Sequence, residues 1–115
     1  MHELAVAQSI LNIVEESVRK NNATEVTELE LEIGVFAGIE YESLEFALKV
    51  VSGNSILSNA VIVVLRPEGK AICQECGLTF RLENLFAPCP ACNGYKYNIV
   101  GGKELRVKSL VVNQK

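Results

Sequence analysis

Apolar residues near the start of the chain recur at alternating steps of three and four positions. The stripe consists of Leu4, Ala7, Leu11, Val14 and Val18. This spacing places apolar side chains on one face of an α-helix. Glu3 near the start and Arg19 and Lys20 near the end suit the helix dipole, and Asn21-Asn22 is typical of a helix stop. The pattern predicts a helix over about residues 3 to 20.

From Glu28 onward the pattern changes to strict alternation of apolar and other positions. Successive side chains of a strand point to opposite faces, so this alternation predicts a half-buried strand over residues 28–35. One face carries Leu29, Leu31, Ile33 and Val35, and the opposite face carries Glu28, Glu30, Glu32 and Gly34.

Two further elements follow this strand. A second helix is predicted over about residues 41 to 52, because helical spacing returns in Tyr41, Leu44, Leu48 and Val51. Gly53 then stands where a C-terminal cap is expected. The apolar run 60–65, closed by the turn residues Pro67-Glu68-Gly69, predicts a second strand.

A last strand is predicted after Gly101-Gly102, where Leu105, Val107, Ser109 and Val111 alternate with Glu104, Arg106, Lys108 and Leu110. Opposite charges on neighbouring strands attract each other. We therefore expect its basic face to lie opposite the face with Glu28, Glu30 and Glu32 in one sheet.

Together these elements predict an α+β fold in which two helices pack on a small three-stranded sheet. Residues 70–100 hold all four cysteines, show little periodicity before Tyr95, and interrupt the first unit between two strands. We expect residues 1–69 plus 101–115 to form one α+β domain. Residues 70–100 would form an inserted module resembling a zinc ribbon, joined through Gly69 and Gly101-Gly102.

Composition argues against several functions. The 115 residues carry a formal charge of −3 and a pI near 5.2, the wrong sign for a protein that binds phosphate backbones. The longest apolar run, residues 60–65, is far shorter than the roughly 20 residues that a transmembrane helix needs. The start of the chain also lacks signal-peptide features. We expect a cytoplasmic protein that binds neither nucleic acid nor a membrane.

The cysteines form two C-x2-C pairs, Cys73/Cys76 and Cys89/Cys92. Each pair places two thiolates on a tight turn, and two such turns face to face supply a tetrahedral metal site. Gly77 and Asn93-Gly94 follow the pairs and permit the left-handed backbone that such turns need. In a reducing compartment this spacing favours a metal over disulfides.

Two metals, iron and zinc, are compatible with this cysteine spacing. An iron site that transfers electrons, as in rubredoxin, would use similar turns. However, the module has no aromatic-rich core of its own to shield iron. A structural zinc is favoured, since protein fills all four positions. Four thiolates and one Zn²⁺ would change the formal charge from −3 to −5.

The only histidine is His2. The Met1 amine and the His2 amide nitrogen can close a five-membered chelate ring on a metal. The same amide nitrogen and imidazole Nδ1 of His2 can close a six-membered ring on that metal. The amide or carboxylate of Glu3 would complete a square. Such planar nitrogen coordination is typical of Ni²⁺ or Cu²⁺. The alternative interpretation of His2 is an exposed residue at an untethered terminus.

Several motifs taken together resemble the HypA/HybF family of hydrogenase-maturation nickel chaperones. They are Met1-His2-Glu3-Leu4, Leu31-Glu32-Ile33-Gly34, the two cysteine pairs, and the closing segment Glu104-Leu105-Arg106-Val107-Lys108-Ser109-Leu110. The cysteine pairs alone occur in many zinc ribbons, whereas their combination with the first and last motifs is far more specific.

The resemblance implies a nickel metallochaperone with a structural zinc. On this view Met1, His2 and Glu3 bind the transported Ni²⁺, and Cys73, Cys76, Cys89 and Cys92 bind Zn²⁺. A maturation GTPase and the hydrogenase large-subunit precursor are the implied partners, and urease is a possible second client. Glu40 and Glu42 could approach the N-terminus, although helix-start carboxylates explain them more simply.

Two other classes of function fit the sequence less well. An enzyme is not expected, because no nucleophile elbow, phosphate loop or carboxylate–histidine pair is present. A zinc-ribbon module that binds nucleic acid or protein would need a basic face with stacking aromatics. Only Tyr95 and Tyr97 could form such a platform, and packing within the module explains them more simply.

Overall fold

The computed structural model describes residues 2–114, so Met1 and Lys115 lie outside the described residues. In chain order the elements are α1 (Glu3–Lys20), β1 (Ala23–Ile33), α2 (Tyr41–Ser52), β2 (Val61–Leu65), β3 (Lys70–Cys73), β4 (Thr79–Arg81), β5 (Tyr97–Gly101) and β6 (Leu105–Gln114). The predicted α+β fold of two helices on a small three-stranded sheet is confirmed. β1 begins at Ala23 rather than near Glu28, and β6 continues to Gln114.

Both helices end as their sequences indicate. The side chain of Asn21 donates a hydrogen bond to the Ser17 carbonyl, and Asn22 has a positive φ of 50°. Gly53 follows α2 as predicted, although its φ of −56° is right-handed. Within residues 2–114, neither helix combines the length and the apolar composition required to cross a membrane.

The first sheet has the strand order β2-β1-β6. β1 is parallel to β2 and antiparallel to β6, and α2 lies in the connection that a parallel pair requires. The predicted inner face of β1 is confirmed for Leu29, Leu31 and Ile33, all at most 1% exposed. Val35 lies beyond the strand and is exposed.

We call the buried cluster between this sheet and the helices the first core. It consists of Ala7, Ile10, Leu11, Val14, Val26, Leu29, Leu31, Ile33, Leu44, Ala47, Leu48 and Leu57. Leu4, which the stripe places on the inner face of α1, is instead 57% exposed, so the prediction is wrong at this position.

The predicted pairing of acidic and basic faces is confirmed. Arg106 on β6 forms an ion pair with Glu32 on β1, and the Lys108 ammonium lies 3.3 Å from a Glu30 carboxylate oxygen. Partly exposed pairs of this kind add little stability. Their contribution is to favour the observed pairing of β6 with β1 over alternatives.

The predicted alternation along β6 is wrong beyond Val107. A register irregularity opposite Glu30 and Leu31 inserts an extra residue into β6, which turns the following side chains to the other face. Leu110 therefore packs against the first core, whereas Val111 is exposed.

Residues 70–101 contain a second sheet with the order β4-β3-β5. The sequence predicts no strand before Tyr95, because three to four residues are too few to display a period. A separate buried cluster, the second core, consists of Ala71, Cys73, Phe80, Leu82 and Cys89.

The first core yields a stability prediction. Leu29→Ala should lower the free energy of unfolding by about 2–5 kcal/mol, because it leaves a cavity where the leucine is fully buried. The same substitution at exposed Leu4 should change it by about 0.5 kcal/mol or less. Urea unfolding followed by helical circular dichroism measures both values. Equal losses would contradict the assigned core.

Candidate metal centres

Each cysteine pair forms the same hydrogen-bonded turn. The amide of Cys73 donates to the Leu78 carbonyl at 2.9 Å, and the amide of Gly77 donates to the Cys73 carbonyl at 3.0 Å. In the second turn Cys89 and Asn93 occupy the equivalent positions, with both bonds at 2.8 Å. The two halves of the site are thus built from one local geometry.

The turns need a left-handed residue at the fourth position after the first cysteine. Gly77 and Asn93 occupy that position, with φ values of 78° and 60°. Glycine adopts this conformation freely, and asparagine tolerates it better than most residues. The predicted role of Gly77 and of the Asn93-Gly94 segment is confirmed in the backbone.

The two turns bring all four sulfur atoms within 4.8 Å of one another. The Sγ atoms of Cys73 and Cys92 are 3.6 Å apart, as are those of Cys76 and Cys89. A zinc–sulfur bond of about 2.3 Å in a tetrahedron gives sulfur–sulfur edges of about 3.8 Å. The donor set therefore fits a Zn²⁺ ion, and Cys73, Cys76, Cys89 and Cys92 are the residues that would hold it.

The sulfur atoms differ in how easily they ionise. A hydrogen bond from the Cys76 amide is the main reason why the pKa of Cys73 falls to about 7. At Cys92 the amide of Gly94 has a lowering effect, but the adjacent sulfur of Cys73 and burial outweigh it and raise the pKa to about 12. Four thiolates at this spacing repel one another, and a bound dication removes that penalty.

Aromatic residues support the second turn from inside the module. The Tyr97 hydroxyl donates to the Ala87 carbonyl at 2.7 Å, and its ring packs edge-on against Phe80 with centroids 5.4 Å apart. The packing role expected for Tyr97 is confirmed. Tyr95 is 68% exposed, so the same expectation is wrong for Tyr95.

At the other candidate centre, His2 immediately precedes α1 in an extended conformation. Its side chain is exposed and makes no capping hydrogen bond to the helix. Glu3 is the first helical residue. The Met1 amine, predicted as a ligand, lies outside the described residues.

The Glu3 carboxylate contacts the loop before α2. The backbone amide of Glu40 donates a hydrogen bond to Glu3 Oε2 at 3.3 Å. The Glu40 carboxylate accepts a hydrogen bond from the Ser43 amide at 2.6 Å, and this interaction lowers the pKa of Glu40. Glu40 thus approaches the N-terminal segment through its backbone, while its side chain caps α2.

His2 also lines a groove of about 500 Å³ formed by α1, β1 and β6. Most of its lining is apolar, including Val6, Ile10 and Val107. None of the described residues that line this groove supplies a thiolate or a carboxylate beside the histidine. Among residues 2–114, the only group of three or more potential metal-binding side chains is the cysteine cluster, which includes neither His2 nor Glu3.

Known proteins match this chain over nearly its whole length. A family model described as hydrogenase/urease nickel incorporation, metallochaperone, hypA matches residues 1–112. A hydrogenase maturation factor HypA from Parabacteroides distasonis is 46% identical over 114 residues, covering 99% of both chains. The factor of the same name from Xanthobacter autotrophicus is 41% identical over 112 residues, covering 97% of this chain and 99% of that one.

The fold is also found among solved structures. The solution structure of the Ni metallochaperone HypA from Helicobacter pylori aligns over 100% of both chains with a TM-score of 0.70 and 22% sequence identity. A second structure, described as HypA protein, covers 100% of this chain and 98% of its own at a TM-score of 0.73 and 23% identity. At these identities the likeness shows the shared fold.

The cysteine cluster leads to a prediction about metal content. The purified chain should hold one Zn²⁺, and Cys76→Ser should abolish it, because three thiolates no longer close the tetrahedron. Residues 70–100 should then lose protection against amide exchange, while α1 and α2 keep their helicity. Metal analysis and hydrogen exchange measure the two effects. Thiolate-to-iron absorption in protein prepared anaerobically would instead support the rubredoxin interpretation.

Proposed function

Because this chain belongs to the HypA family of hydrogenase and urease nickel-incorporation metallochaperones, we propose that it binds Ni²⁺ through Met1, His2 and Glu3. It would then deliver the ion in the cytoplasm, with a maturation GTPase, to the precursor of the [NiFe]-hydrogenase large subunit. The nickel is cargo, and the zinc held by the four cysteines has a structural role.

The observation that carries the proposal is the state of His2. Its imidazole is exposed and free of a capping role, so Nδ1 is available to a metal together with the backbone nitrogen of the same residue. Chelation through adjacent backbone and side-chain nitrogens favours the planar geometry typical of Ni²⁺. A binding site at the start of the chain is open to solvent, which suits an ion that must be transferred.

The position of Glu3 suggests which of its atoms is the fourth donor. Its carboxylate already accepts a hydrogen bond from the Glu40 amide. In a square, the His2 amide nitrogen has only two adjacent positions, and its chelate rings to the Met1 amine and to imidazole Nδ1 occupy both of them. The Glu3 amide would close a third small chelate ring with the His2 amide and cannot reach the position opposite it, so we assign the fourth position to the Glu3 carboxylate, which the Glu40 amide holds in place.

In this proposal the two metals bind to different parts of the chain. We propose that residues 1–69 with 101–115 form the nickel-binding domain and that residues 70–100 form the zinc module. The separate first and second cores support this division. All-sulfur coordination suits zinc, whereas nitrogen donors suit nickel, so each ion has its own ligand type.

Nickel binding should depend on His2. His2→Ala removes the imidazole, so we expect nickel affinity to fall by roughly 100-fold or more, since loss of even an outer partner of a metal ligand costs about 10–100-fold, with zinc content and helicity retained. Isothermal titration of the untagged chain with Ni²⁺ measures this. Gln8→Ala, an exposed polar change on the same helix, is the matched control and should bind nickel like the native chain.

The Met1 amine can be tested separately. Adding Gly-Ser before Met1 should weaken nickel binding, whereas the same addition after Lys115 should not. Acid should also release the ion, since protons compete for the amine, imidazole and amide donors. Unchanged nickel affinity in both His2→Ala and the N-terminally extended chain would contradict the site.

The partner assignment leads to a second test. The chain should capture a maturation GTPase from an extract that produces hydrogenase, and it should show no salt-sensitive affinity for duplex DNA, given a formal charge of −3 before metal binding. Pull-down with identification of the bound proteins, together with DNA retention at physiological salt, measures both. DNA retention without GTPase capture would support a nucleic-acid-binding zinc ribbon.

A further inference from the structure

Three buried glycines lie where the two sheets meet. A Cβ atom on Gly34 would stand 2.1 Å from the carbonyl oxygen of Gly102, and one on Gly69 would stand 2.3 Å from the carbonyl oxygen of Leu82. Gly102 itself has a φ of 105°, a conformation that side chains rarely allow. Any side chain at these positions would push the backbone segments apart, so the junction is built for direct backbone contact.

Phe36 reaches across this junction. It belongs to the loop after β1, yet its ring packs against the second core. Its amide donates a hydrogen bond to the Gly102 carbonyl at 2.6 Å. The missing Cβ of Gly69 makes room for the ring, since that atom would stand 2.2 Å from Phe36 Cε2. The loop is thereby fixed to the cysteine module.

Two further hydrogen bonds hold the start of the same loop. The amide of Gly34 donates to the Glu104 carbonyl at 2.7 Å, and the amide of Val35 donates to the Pro67 carbonyl at 3.1 Å. Glu104 and Pro67 belong to the two segments that connect the sheets. These bonds fix the start of the loop to both of the segments that connect the two sheets.

The other end of the loop holds Glu3. Only four positions beyond Phe36, the Glu40 amide donates its hydrogen bond to the Glu3 carboxylate. Between them Ala37 and Ile39 pack against the first core. A short segment with both ends anchored has little freedom to shift one end without the other.

We propose that Phe36 is a positioning residue for nickel: it anchors residues 34–40 in the second core, so that the Glu40 amide holds Glu3 in the binding geometry. This inference rests on the proposed nickel site. It makes the packing of the cysteine module a condition for full nickel affinity, without any residue of the module touching nickel.

A purely structural role for Phe36 would predict a different outcome. The backbone of Glu3 is placed by α1, which packs on the first core without Phe36. Loss of the ring would then lower stability and leave nickel binding intact. In the proposed role, loss of the ring lowers nickel affinity even when the fold and the zinc are retained, because hydrogen bonds to metal ligands from outside the site affect metal affinity directly.

The first experiment compares Phe36→Ala with Phe86→Ala in the full chain with its native N-terminus. Phe86 is 85% exposed on the cysteine module, so the same substitution there is the matched control. After one zinc per chain has been verified, Phe36→Ala should bind Ni²⁺ about tenfold more weakly or worse, the usual effect of losing an outer partner of a metal ligand. Its Glu40 amide should exchange faster, and Phe86→Ala should match the native chain in both respects.

Phe36→Leu provides the conservative comparison. Leucine keeps apolar bulk in the second core, so we expect zinc to be retained and nickel affinity to fall between those of the native chain and Phe36→Ala. Native nickel affinity in a zinc-loaded Phe36→Ala protein would overturn the proposal.

The second experiment changes only the far end of the loop. Glu40→Pro and Glu40→Ala both remove the side chain that caps α2, but only proline also removes the amide that donates to Glu3. The φ of −76° at Glu40 is compatible with proline. Nickel affinity of Glu40→Pro should be about tenfold below that of Glu40→Ala.

Equal nickel affinities in the two Glu40 variants would overturn the proposal even if Phe36→Ala lost its zinc, since both variants leave the second core unchanged. Failure of the proposed function has a different signature. In that case the native chain and His2→Ala would bind nickel equally, and no loop variant would have a site to affect.

Discussion

Apolar side chains on one face of β1 are buried beneath two helices, and this burial constrains the rest of the molecule. Leu29, Leu31 and Ile33 cannot turn outward without exposing the centre of the first core. The glutamates between them must therefore face the other side, where Arg106 and Lys108 of β6 meet two of them. The same strand runs directly into Gly34 and Phe36, so its register also determines where the first sheet meets the cysteine module.

Each metal centre is made from a different kind of local structure. The sulfur cluster uses two tight turns whose backbone hydrogen bonds repeat almost identically, and a second core lies behind them. The proposed nickel centre uses the first turn of a helix and the extended residue before it. A closed sulfur tetrahedron holds its ion for folding, whereas an exposed terminal site suits reversible binding. In our proposal the two centres are connected through the loop of residues 34–40 and do not share a ligand.

Much of the architecture could be predicted from the sequence, because long elements repeat their period several times. α1 and α2 begin and end where their spacing predicts, and the inner face of β1 is correct at Leu29, Leu31 and Ile33 but not at Val35. The strands of the second sheet were missed because each has only three to five residues. The inner face of β6 was wrong after Val107, since a register irregularity depends on the partner strand and leaves no mark in the alternation itself.

The sequence by itself determined which types of metal ligand this chain offers. Ligand type is local: two C-x2-C turns dictate a sulfur site, and the Met1-His2-Glu3 start offers nitrogen donors within one short stretch. Only the tertiary structure decided how these parts are joined. In the sequence, nothing distinguishes Phe36 from any other apolar loop residue, or Gly34, Gly69 and Gly102 from ordinary turn glycines. These residues come together through contacts between segments more than thirty residues apart in the chain. Such contacts follow from the packing of two sheets, and no local sequence pattern encodes them.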